Sequence, residues 1–248
     1  MSILEAKNIE KTFVSGEKKN HVLRGVDISV EIGEYLTVMG PSGSGKSTLL
    51  YSISSMDEID SGEVFIDGSN VIGMDEEAAA NLRLKKLGFI FQEATLIKHL
   101  NILDNIVLPA FALKKDSKEE IYRRARKLMQ ETGISHLEDR SVTQVSGGEL
   151  QRSCICRALI NSPKIIFGDE PTGALNSKNS AEIIQLLKEI QKRGTTIIIV
   201  THDPKVAIAS DRVVFMKDGQ IAGEIILIDK DEATRQDLVY SQMAELNI

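Results

Sequence analysis

The sequence predicts an α/β fold: a mixed-sheet core, an N-terminal antiparallel β segment and a mostly helical insert. Three observations predict it. A short apolar run, Tyr35 to Met39, passes through a glycine-rich loop into a helix-like run, Thr48 to Ser54. Two later runs, Lys164 to Phe167 and Thr196 to Val200, are nearly continuous aliphatic stretches, the pattern of parallel strands covered on both faces. Between them and the loop, from Glu93 to about Gln144, β-branched runs vanish and helical periodicity dominates.

The elements follow in order. Ile3 to Phe13 and Val22 to Val30 read as strands joined by a polar, glycine-containing turn at Ser15 to Asn20. Gly62 to Ile66 is a further strand, closed by Asp67-Gly68, a hairpin signal. Asp75 to Lys86 reads as a helix, and Leu87 to Phe91 as a short strand ending at Gln92. In the insert, Ser117 with Glu120 three places on forms a capping box. It starts a helix that runs to Glu131 and stops at Gly133. Leu150 to Ile160 is helix-like, and Ser177 to Lys192 is a helix stopped by Gly194. Arg212 to Met216 and Gln220 to Ile228 flank a second hairpin signal, Asp218-Gly219, and the tail from Glu232 to Leu246 reads as a helix.

Composition excludes several classes. With 248 residues, 42% hydrophobic, the chain can bury an ample core. No apolar run approaches the ~18 residues of a membrane span. Met1 to Lys11 alternates polar and apolar and carries Glu5, so it does not read as a signal peptide, and a cytoplasmic protein is expected. A net charge of −6 argues against a nucleic-acid partner gripped through phosphates, which needs a basic stripe. The short basic runs Lys85-Lys86 and Arg123 to Lys127 read as solvated helix faces. Cys154 and Cys156, two apart on a helix, read as buried thiols rather than a metal or redox pair.

Three segments carry chemistry. The loop Gly40-Pro41-Ser42-Gly43-Ser44-Gly45-Lys46-Ser47 lies between a strand and a helix. Such a loop curls its N–H groups around a phosphate chain, because glycines remove the Cβ atoms that would block close approach. The helix start behind it adds roughly half a positive charge. Lys46 suits the β- and γ-phosphates, and the Ser47 hydroxyl suits Mg²⁺. Ser42, Gly43, Ser44, Gly45, Lys46, Ser47 and Thr48 are therefore candidate ATP-binding residues. The second segment is the strand Ile165 to Phe167 followed by Gly168-Asp169-Glu170. Downstream of a phosphate loop, Asp169 suits Mg²⁺ and Glu170 suits the attacking water. The third is Ser146-Gly147-Gly148-Glu149 before a helix. Alone it is as readily an ordinary helix cap as a second anion site.

The order of these parts resembles the nucleotide-binding domain of ABC transporters: phosphate loop, strand-end Gln92, Ser-Gly-Gly, aliphatic strand with Asp-Glu, then Thr201-His202-Asp203. The resemblance covers residues 1 to about 225. It implies a P-loop NTPase of the ABC ATPase fold, a single ATP-binding domain over 1–248. Residues 1–92 and 164–228 would form the core with its β subdomain, 93–163 the helical subdomain, and 229–248 a C-terminal tail.

The resemblance also implies roles. Phe13 matches the aromatic that stacks on adenine. Gln92 matches the lid glutamine that touches Mg²⁺, and His202 the switch histidine that contacts the γ-phosphate. Ser146, Gly147, Gly148 and Glu149 match the signature loop, which grips ATP held by the opposite subunit. Catalysis would thus fall to Glu170, His202 and Gln92, and Mg²⁺ to Ser47, Gln92 and Asp169. The implied assembly is a head-to-tail dimer of two copies with ATP sandwiched between them, bound to a separate integral membrane permease at the inner face of the membrane. Part of the aliphatic segment Glu93 to Lys115 would receive a permease helix.

Four positions depart from the commonest pattern. The signature begins at Val145 rather than leucine and ends in Glu149 rather than glutamine, Asn176 replaces the usual aspartate, and Gly168 is smaller than usual. Pro171 to Ser177, Thr201 to Pro204, Phe89 to Gln92 and Leu108-Pro109 resemble the branch of lipoprotein-release, macrolide-efflux and antimicrobial-peptide-resistance ATPases, the last most closely. DNA-repair and chromosome-structuring relatives would carry a coiled coil or zinc insert, and translation factors two cassettes.

Overall fold

The computed structural model describes residues 1–16 and 18–248, with Ser15 described by its backbone alone. In chain order the elements are strands β1 (Ser2–Ser15), β2 (Lys18–Glu31) and β3 (Tyr35–Met39), helix α1 (Lys46–Ile53), strands β4 (Ser61–Ile66) and β5 (Ser69–Asn70), helix α2 (Glu76–Lys86) and strand β6 (Leu87–Ile90). Helices α3 (Ile102–Leu113), α4 (Lys118–Glu131) and α5 (Gly147–Leu159) follow, then β7 (Ile165–Asp169) and α6 (Ser177–Lys192). The chain closes with β8 (Thr196–Thr201), α7 (Pro204–Ala209), β9 (Arg212–Lys217), β10 (Gln220–Ile226) and α8 (Glu232–Leu246). These fall into two compact units, Met1–Asp75 with Gln191–Ile248, and Glu76–Ile190.

The first unit holds two sets of strands. An antiparallel sheet has the order β2-β1-β4-β5. The expected turn at Ser15 to Asn20 includes Glu17, which lies outside the described residues; the flanking strands reach Ser15 and Lys18. A register shift falls between Ala6 and Ile9, where Asn8 has φ 50° and its N–H donates to Asp27 Oδ1 at 2.8 Å. In the second set β3 lies between β8 and β9, parallel to both, and β10 pairs antiparallel with β9. All five residues of β3 and all six of β8 are buried, which accounts for their largely apolar character on both faces. Both Asp-Gly signals are hairpin turns with two left-handed residues, Asp67-Gly68 (φ 49° and 75°) and Asp218-Gly219 (φ 49° and 81°). The tail is helix α8 over the expected residues. Asp231 caps it, Val239 enters a core with Met39, Val213, Phe215 and Leu227, and Lys217 Nζ donates to the Leu246 carbonyl at its last turn.

The second unit packs α3, α4 and α5 around one core that includes Ile102, Ile106, Ile121, Met129, Cys154 and Cys156. The capping box at Ser117 and Glu120 is present, and α4 ends at Glu131, followed by Gly133 with φ 74°. Cys154 and Cys156 are buried free thiols. Burial pushes the Cys156 thiol up to about 12, and its sulfur lies 3.1 Å from Thr132 Oγ1. The basic run on α4 is a solvated face: Ala125 turns inward, while Arg124 pairs with Asp116 and Arg126 with Glu138. Strands β6 and β7 pair in parallel, and Phe89 stacks on Phe167 at 5.7 Å.

Candidate functional site

The glycine-rich loop leaves β3 at Gly40. A Cβ there would lie 2.1 Å from the Met216 carbonyl oxygen and 2.9 Å from Ser44 Oγ, so this glycine is required by close approach. Gly43 and Gly45 are required by torsion, with φ 80° and 99°. Gly45 is the N-cap of α1, and no side chain bonds to the N–H groups of that cap. Helix α1 begins at Lys46, two residues before Thr48, because Gly45 can take the left-handed cap conformation. Ser42 and Gly43 are exposed, Ser47 and Thr48 half-buried.

Within the loop, Lys46 Nζ donates to the Pro41 carbonyl at 2.8 Å. Ser44 Oγ is buried and has no hydrogen-bond partner, a donor aimed into the loop. A buried hydroxyl in want of an acceptor, a helix start without a side-chain cap and a lysine fit a polyphosphate. The β9–β10 hairpin supports this loop from below: Gly219 N–H donates to the Ser44 carbonyl at 3.1 Å. Sequence reasoning read Asp218-Gly219 as a turn and missed this second task.

In the β3–β8 register Met39 faces Thr201, so Gly40 and His202 leave the same edge of the sheet side by side. His202 is exposed; Thr201 Oγ1 accepts the Asp203 N–H at 3.0 Å, and Asp203 caps α7. Phe13 lies near the end of β1, 45% exposed, with the Lys11 ammonium 5.1 Å from its ring centre.

The carboxylates belong to the second unit. Strand β7 continues through Gly168 to Asp169, and Glu170 follows with φ 44°, a left-handed conformation costly for a glutamate. Its carbonyl accepts the Gly173 N–H at 3.0 Å, closing a tight turn. Strand β6 ends at Ile90, one residue short of expectation, and Gln92 is exposed beyond it. A Cβ on Gly173 would lie 3.2 Å from Gln92 Nε2 and 3.3 Å from Glu170 Oε2, so both side chains converge on that glycine. Sequence reasoning missed Gly173; the tight Pro171-Thr172-Gly173 run was its only signal. Among the described residues no group of three or more His, Cys, Asp or Glu could hold a metal by itself. Within this unit Asp169 offers a carboxylate and Gln92 an amide oxygen, donors that suit a hard cation able to draw its other ligands from phosphate and water.

Ser146 to Glu149 form the start of α5, three residues earlier than the predicted Leu150. A capping box extends the helix: the Glu149 N–H donates to Ser146 Oγ, and Glu149 Oε2 accepts from the Ser146 N–H at 2.8 Å and hydroxyl at 2.7 Å. These bonds, with His136 Nε2 at 3.3 Å, hold the Glu149 carboxyl below the usual carboxylate range. A Cβ on Gly148 would press on Asn179 at 2.9 Å, and one on Gly147 would meet Leu175 at 3.6 Å. Asn176 caps α6, accepting the Asn179 N–H at 2.9 Å, a task asparagine performs as well as aspartate.

Comparison with known proteins supports the same chemistry. The ABC transporter family model matches residues 23–173. The chain is 42% identical over 235 residues to the bacitracin export ATP-binding protein BceA of Halalkalibacterium halodurans, covering 94% of this chain and 92% of BceA. It is 40% identical over 224 residues to the macrolide export ATP-binding/permease protein MacB of Neisseria gonorrhoeae, covering 90% of this chain. The match spans 35% of the length of MacB. A dimeric structure of the ATP-binding cassette MJ0796, in a post-hydrolysis state bound to ADP and Pi, superposes with a TM-score of 0.85 and 38% identity over 90% of this chain and 98% of that one.

Proposed function

Because the chain belongs to the ABC transporter family, we propose that it is the ATP-hydrolysing subunit of a transporter. It drives a separate integral membrane permease that exports or removes antimicrobial peptides. The observation that carries this reading is the near end-to-end similarity to BceA, whose name is that of an ATP-binding protein alone. MacB, named for both ATP binding and permease, supports a second reading, a macrolide-efflux or lipoprotein-releasing system. No helix among the described residues is long and apolar enough to cross a membrane, in keeping with a subunit held at the inner membrane face by its permease.

The roles follow from the chemistry of each side chain. Phe13 offers its ring to the adenine. The loop N–H groups of Ser42 to Thr48 and the Lys46 ammonium bind the phosphates, and the Ser44 hydroxyl finds an acceptor there. Ser47, Asp169 and Gln92 would hold Mg²⁺, which when bound neutralises charge on the phosphate oxygens. The Glu170 carboxylate takes the proton of the attacking water. His202, beside Gly40 on the sheet edge, donates to the γ-phosphate. A second copy of the chain supplies Ser146, Gly147, Gly148 and Glu149 to the same ATP, giving a two-fold dimer. Residues 93–163 act as the helical subdomain between core segments 1–92 and 164–228, with 229–248 as the tail. In that subdomain Leu96, Ile102 and Leu103 are core, whereas Ile97, Leu108 and Phe111 are exposed and available to the permease. Deleting the gene in the source organism should raise sensitivity to bacitracin-type peptides, and the wild-type gene should restore resistance. Unchanged peptide sensitivity with altered macrolide sensitivity would favour the second reading.

A further inference from the structure

The signature loop of this chain contains a competition that the charge of Glu149 makes stronger than a glutamine would. The Ser146 hydroxyl has one proton, and it is given to Glu149 Oε2 at 2.7 Å. In the reading above, on which this inference rests, the same proton must serve a phosphate oxygen of the partner's ATP. An anionic carboxylate is a strong rival acceptor, and its charge also opposes the triphosphate. The second carboxylate oxygen, Oε1, lies 3.3 Å from His136 Nε2. His136 stands in the 3₁₀ turn Ser135–Leu137, between α4 and α5, and its side chain is 65% exposed.

We propose that His136 is a positioning residue for the signature loop. As an imidazolium it pairs with Glu149, lowers the hold of the carboxylate on the Ser146 proton, and cancels the charge that would face the triphosphate. As a neutral ring it does neither. From α5 the charge facing the imidazole is Glu149. The other acids beside that turn, Glu138 and Asp139, lie toward Arg126 of α4, which takes Glu138 in a bidentate contact at 2.6 to 3.1 Å. The effect is present where the imidazole carries its second proton and absent where it does not.

The test is KM for Mg·ATP and kcat of the purified full chain between about pH 5.5 and 8.5. ATP itself titrates in this range, so the differences between variants are the readout. For an exposed pair, His136→Ala should raise KM about two- to fivefold at the acid end and leave it unchanged at the alkaline end. Glu149→Gln should flatten the wild-type difference, and His136→Ala should add no loss on that background. Equal KM for wild type and His136→Ala at every pH, or full additivity of the two changes, overturns the proposal. Ser146→Ala separates the levels. If it leaves KM and kcat untouched, the signature-loop reading falls and this inference with it. If it impairs turnover while His136→Ala does not, only the role of His136 is lost. Both positions are at the surface, and an unchanged Tm verifies the fold.

Discussion

Gly40→Ala should cripple nucleotide binding, although Gly40 has no unusual torsion. The added methyl would stand 2.1 Å from the Met216 carbonyl oxygen, whereas real Cβ contacts do not fall below 3.0 Å. The loop, or strand β9 beneath it, must therefore yield by about 1 Å. Neither moves freely: β3 is fully buried between β8 and β9, and Gly219 ties the hairpin to Ser44. Overpacking of this kind costs about 1–3 kcal/mol of stability. A displacement of about 1 Å at a positioned site costs roughly a hundredfold in function. Titration with a fluorescent ATP analogue and a thermal melt measure both terms. Gly133→Asn, outside the phosphate loop, is the control, since nothing lies within 4 Å of a Cβ there and asparagine tolerates left-handed backbone. It should bind within a fewfold of wild type. Gly40→Ala binding ATP within threefold of wild type, with an unshifted melt, would refute the argument from close approach.

Other outcomes follow from the same geometry. Glu170→Gln should retain ATP binding and lose at least ~10²-fold in kcat, and near-normal single-turnover hydrolysis would remove Glu170 as general base. Phe13→Ala should weaken ATP by roughly tenfold while moving stability by less than about 0.5 kcal/mol, read by calorimetric titration and urea unfolding. Cys154 and Cys156 should resist maleimide at pH 8 in the folded chain and react fully in urea, because burial raises both thiols, Cys156 to about 12. Mass spectrometry counts the adducts, and rapid labelling of the native protein would contradict their packing.

Local rules carried much of the fold. The strand Tyr35–Met39, the capped helix that begins after Ser117 and the helix Ser177–Lys192 were legible because burial, capping and termination signals agree at each. The start of α5 was misread because two glycines look like loop, although Ser146 and Glu149 stand at capping-box spacing. The phosphate loop was legible as a motif, but its support was not. That Met216 and Gly219 lie beneath it depends on β9 pairing with β3 across more than 170 residues of chain. In the same way, the convergence of Gln92 and Glu170 on Gly173 and the reach of His136 to Glu149 are tertiary facts without a periodic signature.

Glu170 occupies a backbone shape that glycine or asparagine would fill with less strain. Its replacement by glycine should therefore yield a tougher and inert protein. A screen for heat resistance alone would drift toward that substitution. Durability and turnover are opposed at this one residue, so any programme that hardens the chain must hold position 170 fixed and seek its gains elsewhere.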